Sequence, residues 1–111
     1  MAEAEGSLTA AEAFFHGAID DAWEAAQREQ PVPVALRNRL RIAATHAAWT
    51  ATSVVNSLFA IAGGPAIYDS SPLQRRLRDA HTAGAHFQIG SVSREIQGRL
   101  LLDQPADATM L

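Results

Sequence analysis

The stretch AGGPAIYDSSPLQRRL, residues 62–77, ends one long helical pattern and begins another. Gly63 can take the left-handed cap conformation, and Pro65 cannot continue a helix, so the preceding pattern has to stop here. Ser71 then stands where an N-cap is expected, with a proline at the first helical position and Gln74 at the third, as in a capping box. The stretch therefore predicts a short link between two helices.

Apolar residues recur at helical spacing on both sides of this link. The predicted helices span about residues 8–29, 34–62 and 72–102. The first begins near a candidate capping box of Thr9 and Glu12 and is stopped by the sequence PVP. The apolar stripe of the second, at close to heptad spacing, is Leu36, Leu40, Ala43, Ala47, Thr50, Val54, Leu58 and Ile61. We therefore predict one all-α domain over residues 1–111, an up-down-up bundle of three long helices.

The composition supports a folded helical chain and excludes several kinds of function. The chain has 111 residues, of which 48% are apolar and 19% charged, and much of the apolar share is alanine, the best helix former. The absence of cysteine excludes disulfides, thiolate catalysis and zinc–cysteine sites. A net charge of −3 argues against a general nucleic-acid binder, which needs a basic face.

Neither a secretory signal nor a membrane span is predicted. The acidic N-terminal sequence MAEAEGSLTAAEAFF has no cationic region before an apolar run, so a cytoplasmic protein is the default expectation. No charged residue lies between Arg41 and Asp69, but this segment contains many threonine, serine and alanine residues and is too polar to span a bilayer. It predicts instead a helix buried on most of its sides.

The third predicted helix carries apolar residues on two sides. Its first stripe comprises Leu73, Leu77, Ala80, Gly84 and Phe87. Its second, more than a quarter-turn away, comprises Ile89, Val92, Ile96 and Leu100. If the helix is continuous, both sides need burial. We therefore expect the bundle to pack against a fourth helix, another domain or another copy of itself.

A polar cluster occupies the side of the third helix opposite its first stripe. Its members are Arg75, Asp79, Thr82, His86 and Ser93. A solvated face with a modest ion pair of Arg75 and Asp79 is the interpretation that the pattern favours. The alternative is a site for an anion or a polar ring, to which a histidine can offer a hydrogen bond. His16 and His46 have no partner at ligand spacing, so no metal site is predicted.

The order of these motifs resembles the C-terminal helical domain, type 2, of the acyl-CoA dehydrogenase superfamily. The matching features are the GG turn at Gly63 and Gly64, the SPLQR helix start, the RDAH block followed by His86, and the GRLLL end. The resemblance is greatest to the branch of reduced-flavin-dependent monooxygenases, and it covers nearly the whole chain.

This resemblance implies a role in a flavoprotein oxidoreductase. In the family, the bundle is the third domain of a tetramer, after a helical and a β-domain that this sequence does not contain. The domain forms the oligomer core, and its GG turn, here Gly63 and Gly64, approaches an FAD or FMN held largely by a neighbouring subunit. The resemblance thus implies a homo-oligomer or a subunit of a larger flavoprotein, while charge and polarity predict neither a nucleic-acid nor a membrane partner. Alone, the chain is expected to be an incomplete enzyme that does not bind flavin.

Two departures from the family pattern bear on the reaction. Phe87 stands where straight-chain dehydrogenases have their catalytic glutamate, and Ala60 stands where the superfamily has a glutamine before the GG turn. Phenylalanine cannot abstract a proton, so dehydrogenation is not implied. The monooxygenase-like branch instead has a histidine near the flavin, which makes His86 the predicted catalytic and cofactor-binding residue. The alternative function is a non-catalytic oligomerisation or assembly module that uses the same bundle.

Overall fold

The computed structural model of the chain describes residues 1–28 and 30–111. Its α-helices are α1 (Ala2–Ala26), α2 (Val34–Ala62), α3 (Pro72–Gly84) and α4 (Ser91–Leu101). Short 3-10 turns cover Gly64–Ile67, Phe87–Ile89 and Ala108–Met110. The described residues form no β-strand, and the all-α helical bundle predicted from the sequence is confirmed.

The central element is α2, which packs against α1, α3 and α4. With 29 residues, it is about 44 Å long at the usual helical rise. This length accounts for the elongated shape of the molecule, which measures 52 × 25 × 21 Å. The other helices pack along this rod, so side chains of α2 set their positions.

The link after α2 forms where predicted, with two differences. Gly63 ends α2 with φ 63° and ψ −148°, a conformation that only glycine adopts readily but that lies outside the left-handed helical region of the predicted cap. Ser71 caps α3, its hydroxyl oxygen accepting from the Leu73 amide at 3.3 Å. Gln74 does not complete the capping box but donates to the Ile67 carbonyl. The Ser71 amide that a capping box would engage already donates to the Tyr68 carbonyl at 2.8 Å.

The first helix begins earlier and ends earlier than predicted. It starts at Ala2 rather than residue 8, which places Thr9 and Glu12 inside the helix and not in a capping box. Glu3 and Glu5 occupy its first turn, where negative charge interacts favourably with the helix dipole. The α-helix ends at Ala26, and the predicted last residue, Glu29, lies outside the described residues.

The prediction of one continuous helix over 72–102 is wrong. The chain leaves the helical conformation at His86, whose φ of −62° and ψ of 134° are extended, and Gly90 is extended as well. The turn between α3 and α4 explains the change of apolar face along the sequence. The two stripes belong to two helices and do not require burial on two sides of one. Phe87, predicted to lie in the first stripe, is 65% exposed in the turn.

The interior of the chain is made of small side chains. The buried apolar residues are Ala11, Ala18, Ala43 and Ala66, and no large side chain among the described residues is fully buried. Many large apolar side chains are instead exposed, including Trp23, Ile61, Ile67, Tyr68, Val92 and Leu101. The expected surplus of exposed apolar surface is therefore present.

Burial of α2 on most of its sides does not occur within the single chain. Trp49 is 44% and Ile61 64% exposed, although both lie in the uncharged segment. A lone α2 cannot be covered all round because its three neighbours pack over only part of its length. Within residues 1–28 and 30–111, no helix combines the length and the apolar character that crossing a membrane requires.

Candidate functional site

His86 is the first residue of the turn between α3 and α4. Its Nδ1 accepts a hydrogen bond from the Gln88 amide at 3.3 Å, which caps the 3-10 turn Phe87–Ile89. A neutral imidazole whose Nδ1 accepts carries its proton on Nε2. The imidazole is exposed, so Nε2–H is the donor that His86 can offer to another molecule. The Phe87 ring lies beside it, with the ring centroids 4.8 Å apart.

A tryptophan of α2 fastens this turn to the central helix. The indole Nε1 of Trp49 donates to the carbonyl of Ile89 at 3.0 Å. The guanidinium carbon of Arg94 lies 4.3 Å from the centroid of the indole ring, in cation–π geometry. The turn that carries His86 is therefore bound to α2 through Trp49, whose indole is in turn covered by Arg94 of α4.

The end of α3 is held by the same side of α2. The Thr52 hydroxyl lies 3.0 Å from the Ala48 carbonyl of its own helix and 3.3 Å from the Ala80 carbonyl of α3, so its one proton is shared between the two. Asn56 Oδ1 lies 3.0 Å from His81 Nε2. Trp49, Thr52 and Asn56 are spaced three and four residues apart, so they share one face of α2. This face holds the segment that leads into the His86 turn.

Further along α2, a buried polar cluster joins it to α4. Gln97 donates from Nε2 to Thr45 Oγ1 at 3.0 Å and to Ser93 Oγ at 2.9 Å. Asn38 donates to the main-chain carbonyl of Gln97 at 3.2 Å. We call Asn38, Thr45, Thr52 and Gln97 the polar seam; all four are at least nine-tenths buried.

The sequence interpretation missed the polar seam because it followed only the apolar stripe of the second helix. The available signal was the seven-residue spacing of Asn38, Thr45 and Thr52, which places them on one helical face. Polar residues at heptad spacing inside an otherwise apolar helix are typical of contacts that set register.

Gly63 and Gly64 lie at the opposite end of α3 from His86. Between the two positions lies α3, whose 13 residues make it about 20 Å long at the usual rise. Within this chain, the structure does not bring the three predicted site residues together. Both glycines are exposed, and no atom lies within 4 Å of where a Cβ would stand on either one. The turn is thus open to close approach by a second molecule.

The predicted polar cluster divides between two helices. Arg75 and Asp79 form an exposed ion pair of 3.7 Å on α3, as predicted. A pair this exposed contributes little to stability. Ser93 belongs to α4, where it bonds to Gln97, and so does not share a face with Arg75.

The described residues contain no group of three His, Cys, Asp or Glu side chains that could hold a metal ion.

An apolar hollow of about 370 Å³ lies beside the His86 turn. Phe87, Val92, Ile96 and Met110 supply its apolar walls, and Ser91 and Ser93 its hydroxyls. Its volume lies in the range of small-molecule sites. Phe87, the chain neighbour of His86, lines this hollow, whose surface is suited to an apolar ring.

Comparisons with known proteins find relatives over most of the chain. The family model described as "Acyl-CoA dehydrogenase, C-terminal domain" matches residues 1–91. Indole-3-acetate monooxygenase of Pseudomonas putida is 39% identical over 100 residues, which are 90% of this chain and 26% of that protein. The flavin-dependent monooxygenase oxygenase subunit HsaA of Rhodococcus jostii is 34% identical over 86 residues, 78% of this chain and 22% of that protein.

A solved structure has the same fold. The crystal structure of the HsaA monooxygenase from M. tuberculosis superposes with a TM-score of 0.87 and 27% identity, covering 99% of this chain and 29% of that one. The chain thus spans about a quarter of the length of these relatives.

Proposed function

The chain belongs to the C-terminal-domain family of the acyl-CoA dehydrogenases, and from this premise we propose that it serves as the C-terminal bundle of a flavin-dependent monooxygenase. The observation that carries the proposal is the superposition of 99% of the chain on 29% of a monooxygenase. In this proposal, residues 1–111 act as one domain of a cytoplasmic assembly. The remaining part of the flavin and substrate pocket comes from other polypeptide.

Within that assembly, His86 is the residue that we assign to the flavin site. Its Nδ1 is engaged by the Gln88 amide, so its Nε2–H can donate to an oxygen or nitrogen acceptor of the flavin or the substrate. FAD or FMN, when bound in reduced form, would supply the electrons with which a monooxygenase activates O₂. Phe87 has no group that takes up a proton, which favours this chemistry over α,β-dehydrogenation.

We propose that Gly63 and Gly64 also contact a flavin, but from the end of α3 opposite to His86. Their open backbone permits close approach, but α3, about 20 Å long, lies between them and His86. One chain therefore cannot place both on the same part of a cofactor. We propose that the GG turn and His86 serve two flavin sites, or two ends of one, in an oligomer whose neighbouring subunit holds most of the cofactor.

The exposed apolar side chains support a role in the oligomer core. Ile61, Ile67 and Tyr68 at the GG turn are each at least 60% exposed. Burying such groups between subunits contributes about 25 cal/mol per Å² of apolar area. An interior made of small residues leaves the larger side chains available for that purpose.

Two experiments test the proposal: a hydroxylation assay of a His86 variant in the assembly, and flavin titration of the isolated chain. In a flavin-loaded complex that contains this chain, His86→Ala should abolish or strongly reduce hydroxylation while assembly and helix content stay intact. Intact hydroxylation in this variant would remove His86 from the mechanism. The isolated chain should leave FMN and FAD fluorescence unquenched, and stoichiometric tight binding by the chain alone would contradict the claim that other polypeptide completes the pocket.

A non-catalytic assembly module is the second candidate, and the exposed apolar surface favours it equally. Light scattering combined with the His86→Ala assay separates the two functions. If the chain associates and His86→Ala leaves hydroxylation unchanged, the module is supported. If the chain associates and His86→Ala abolishes hydroxylation, the monooxygenase function is supported. A strictly monomeric chain at high concentration would contradict both the module and the oligomer core.

A further inference from the structure

We propose that Trp49 is a positioning residue for His86: its indole N–H, through the Ile89 carbonyl, holds the α3–α4 turn in the form that presents His86 as an Nε2–H donor. An effect of Trp49 on catalysis rests on the proposed function. The effect of Trp49 on the His86 imidazole can be tested without a flavin.

The first step is the position of the Ile89 carbonyl. Ile89 ends the 3-10 turn and precedes Gly90, the N-cap of α4. The first carbonyl that α4 uses is that of Gly90, which accepts from the Arg94 amide at 3.4 Å. The Ile89 carbonyl therefore lies outside the helical hydrogen-bond pattern, and the indole of Trp49 supplies its donor at 3.0 Å.

The second step links Ile89 to His86. The Ile89 amide donates to the His86 carbonyl at 2.9 Å, while the Gln88 amide donates to the His86 imidazole at 3.3 Å. Both bonds join His86, the N-cap, to the 3-10 turn Phe87–Ile89 that directly follows it. A displacement of Ile89 thus changes the two contacts that orient the backbone and the ring of His86.

The third step is the rigidity of Trp49 itself. The Arg94 guanidinium lies over the indole, and Arg94 is in the first turn of α4. The indole is therefore held between the turn on one edge and α4 on one face. A half-exposed surface tryptophan would otherwise be free to change rotamer, so this arrangement restricts it.

The chain also contains a matched control. Trp23 is a second tryptophan, 64% exposed on α1, and far in sequence from the turn. Trp49→Phe keeps an aromatic ring but removes the N–H that donates to Ile89. Trp23→Phe makes the same chemical change away from the turn.

Imidazole NMR of the histidine-labelled chain tests the inference directly. Long-range proton–nitrogen spectra identify which ring nitrogen of His86 is protonated, and His86→Ala assigns its signals. Wild type and Trp23→Phe should show mainly the Nε2–H form. In Trp49→Phe, the ratio of the Nε2–H to the Nδ1–H form should fall by about two- to tenfold, the range expected for loss of one ordinary hydrogen bond. An unchanged ratio in folded Trp49→Phe would overturn the inference.

A measurement on the wild-type chain covers the case in which Trp49→Phe fails to fold. The Trp49 indole N–H, which donates to Ile89, should exchange with solvent at least about threefold more slowly than that of the exposed Trp23. Equal exchange rates would also overturn the inference.

In the flavin-loaded assembly, Trp49→Phe should lower kcat by about two- to tenfold with little change in KM, while Trp23→Phe alters neither. Failure of this inference and failure of the proposed function give different results. If the His86 ring responds to Trp49→Phe but hydroxylation survives His86→Ala, the positioning holds and the function fails. If hydroxylation needs His86 but its ring ignores Trp49→Phe, the function holds and the positioning fails.

Discussion

The two interfaces of α2 are built from opposite chemistry. Against α1, the fully buried residues are Ala11, Ala18 and Ala43, which have no polar side-chain atoms. Toward α3 and α4, the buried residues are those of the polar seam, and each makes a hydrogen bond. Ala43 and Thr45 lie about 160° apart around α2. One helix thus buries small apolar side chains on one side and hydrogen-bonded polar side chains on the other.

The difference has a functional consequence. The buried alanines permit close approach of α1 and α2, and directional contacts on this side are confined to its more exposed part, where Arg39 pairs with Asp21 at 3.4 Å. Hydrogen bonds are directional and leave costly unpaired groups when the register shifts. The turn that carries His86 is attached through the second kind of interface, which suits a group that has to be placed accurately.

The largest expected effect comes from enlarging the alanine interface. Ala43 is fully buried, so Ala43→Leu should force α1 and α2 apart and lower the free energy of unfolding by about 3 kcal/mol. Urea unfolding followed by circular dichroism measures this. The exposed Ala13 on α1 offers the control, and Ala13→Leu should change stability by less than about 0.5 kcal/mol. Equal stabilities for the two variants would contradict close packing at Ala43.

A smaller effect is expected at the polar seam. Gln97→Ala removes the donor to Thr45 and Ser93 and should cost about 2 kcal/mol, because buried oxygens lose a partner. The exposed Gln104 provides the matched control, with Gln104→Ala close to neutral. In addition, Gln97→Ala should perturb the amide resonances of 86–90 more than those of α1. A perturbation confined to α1 would show that the seam does not hold the turn.

The smallest effect concerns the C-terminal turn, which contacts α2 through Arg37 and Arg41. The hydroxyl and amide of Thr109 donate to Asp107 and lower the pKa of this carboxyl. A lowered folded-state pKa means that the turn is stabilised above the ordinary pKa of the carboxyl and loses this as pH falls through the lowered value. The Thr109 amide resonance should therefore shift with a midpoint below the ordinary pKa of an aspartate. Thr109→Val should move this midpoint upward, and an unmoved midpoint would exclude the hydroxyl as a cause.

Much of the helical layout could be predicted because its signals are local. Gly63 and Ser71 end one helix and begin the next in the structure as in the sequence interpretation. The predicted continuous helix takes no account of Gly90 and includes Gly84 in its apolar stripe, although the two glycines flank the break at His86. The change of apolar face after Phe87 was the available signal, and it was interpreted as burial on two sides.

The candidate site was less predictable than the fold. The choice of His86 came from a family resemblance, and its role stays a prediction. Its contacts with Gln88 and, through Ile89, with Trp49 depend on how the turn lies against α2, and Trp49 is distant from His86 in sequence. No local pattern reports a hydrogen bond from an indole to a carbonyl forty residues away.

The sequence by itself determined that the chain is helical, where its long second helix ends, and which family it resembles, since these depend on composition, caps and motif order. Only the tertiary structure decided that the third helical pattern is two helices, that alanines and a polar seam share α2, and that His86 and the GG turn lie apart. The physical reason is that caps and periodicity act within a few residues. Register, burial and the direction of an imidazole are set by groups that meet only when the helices pack.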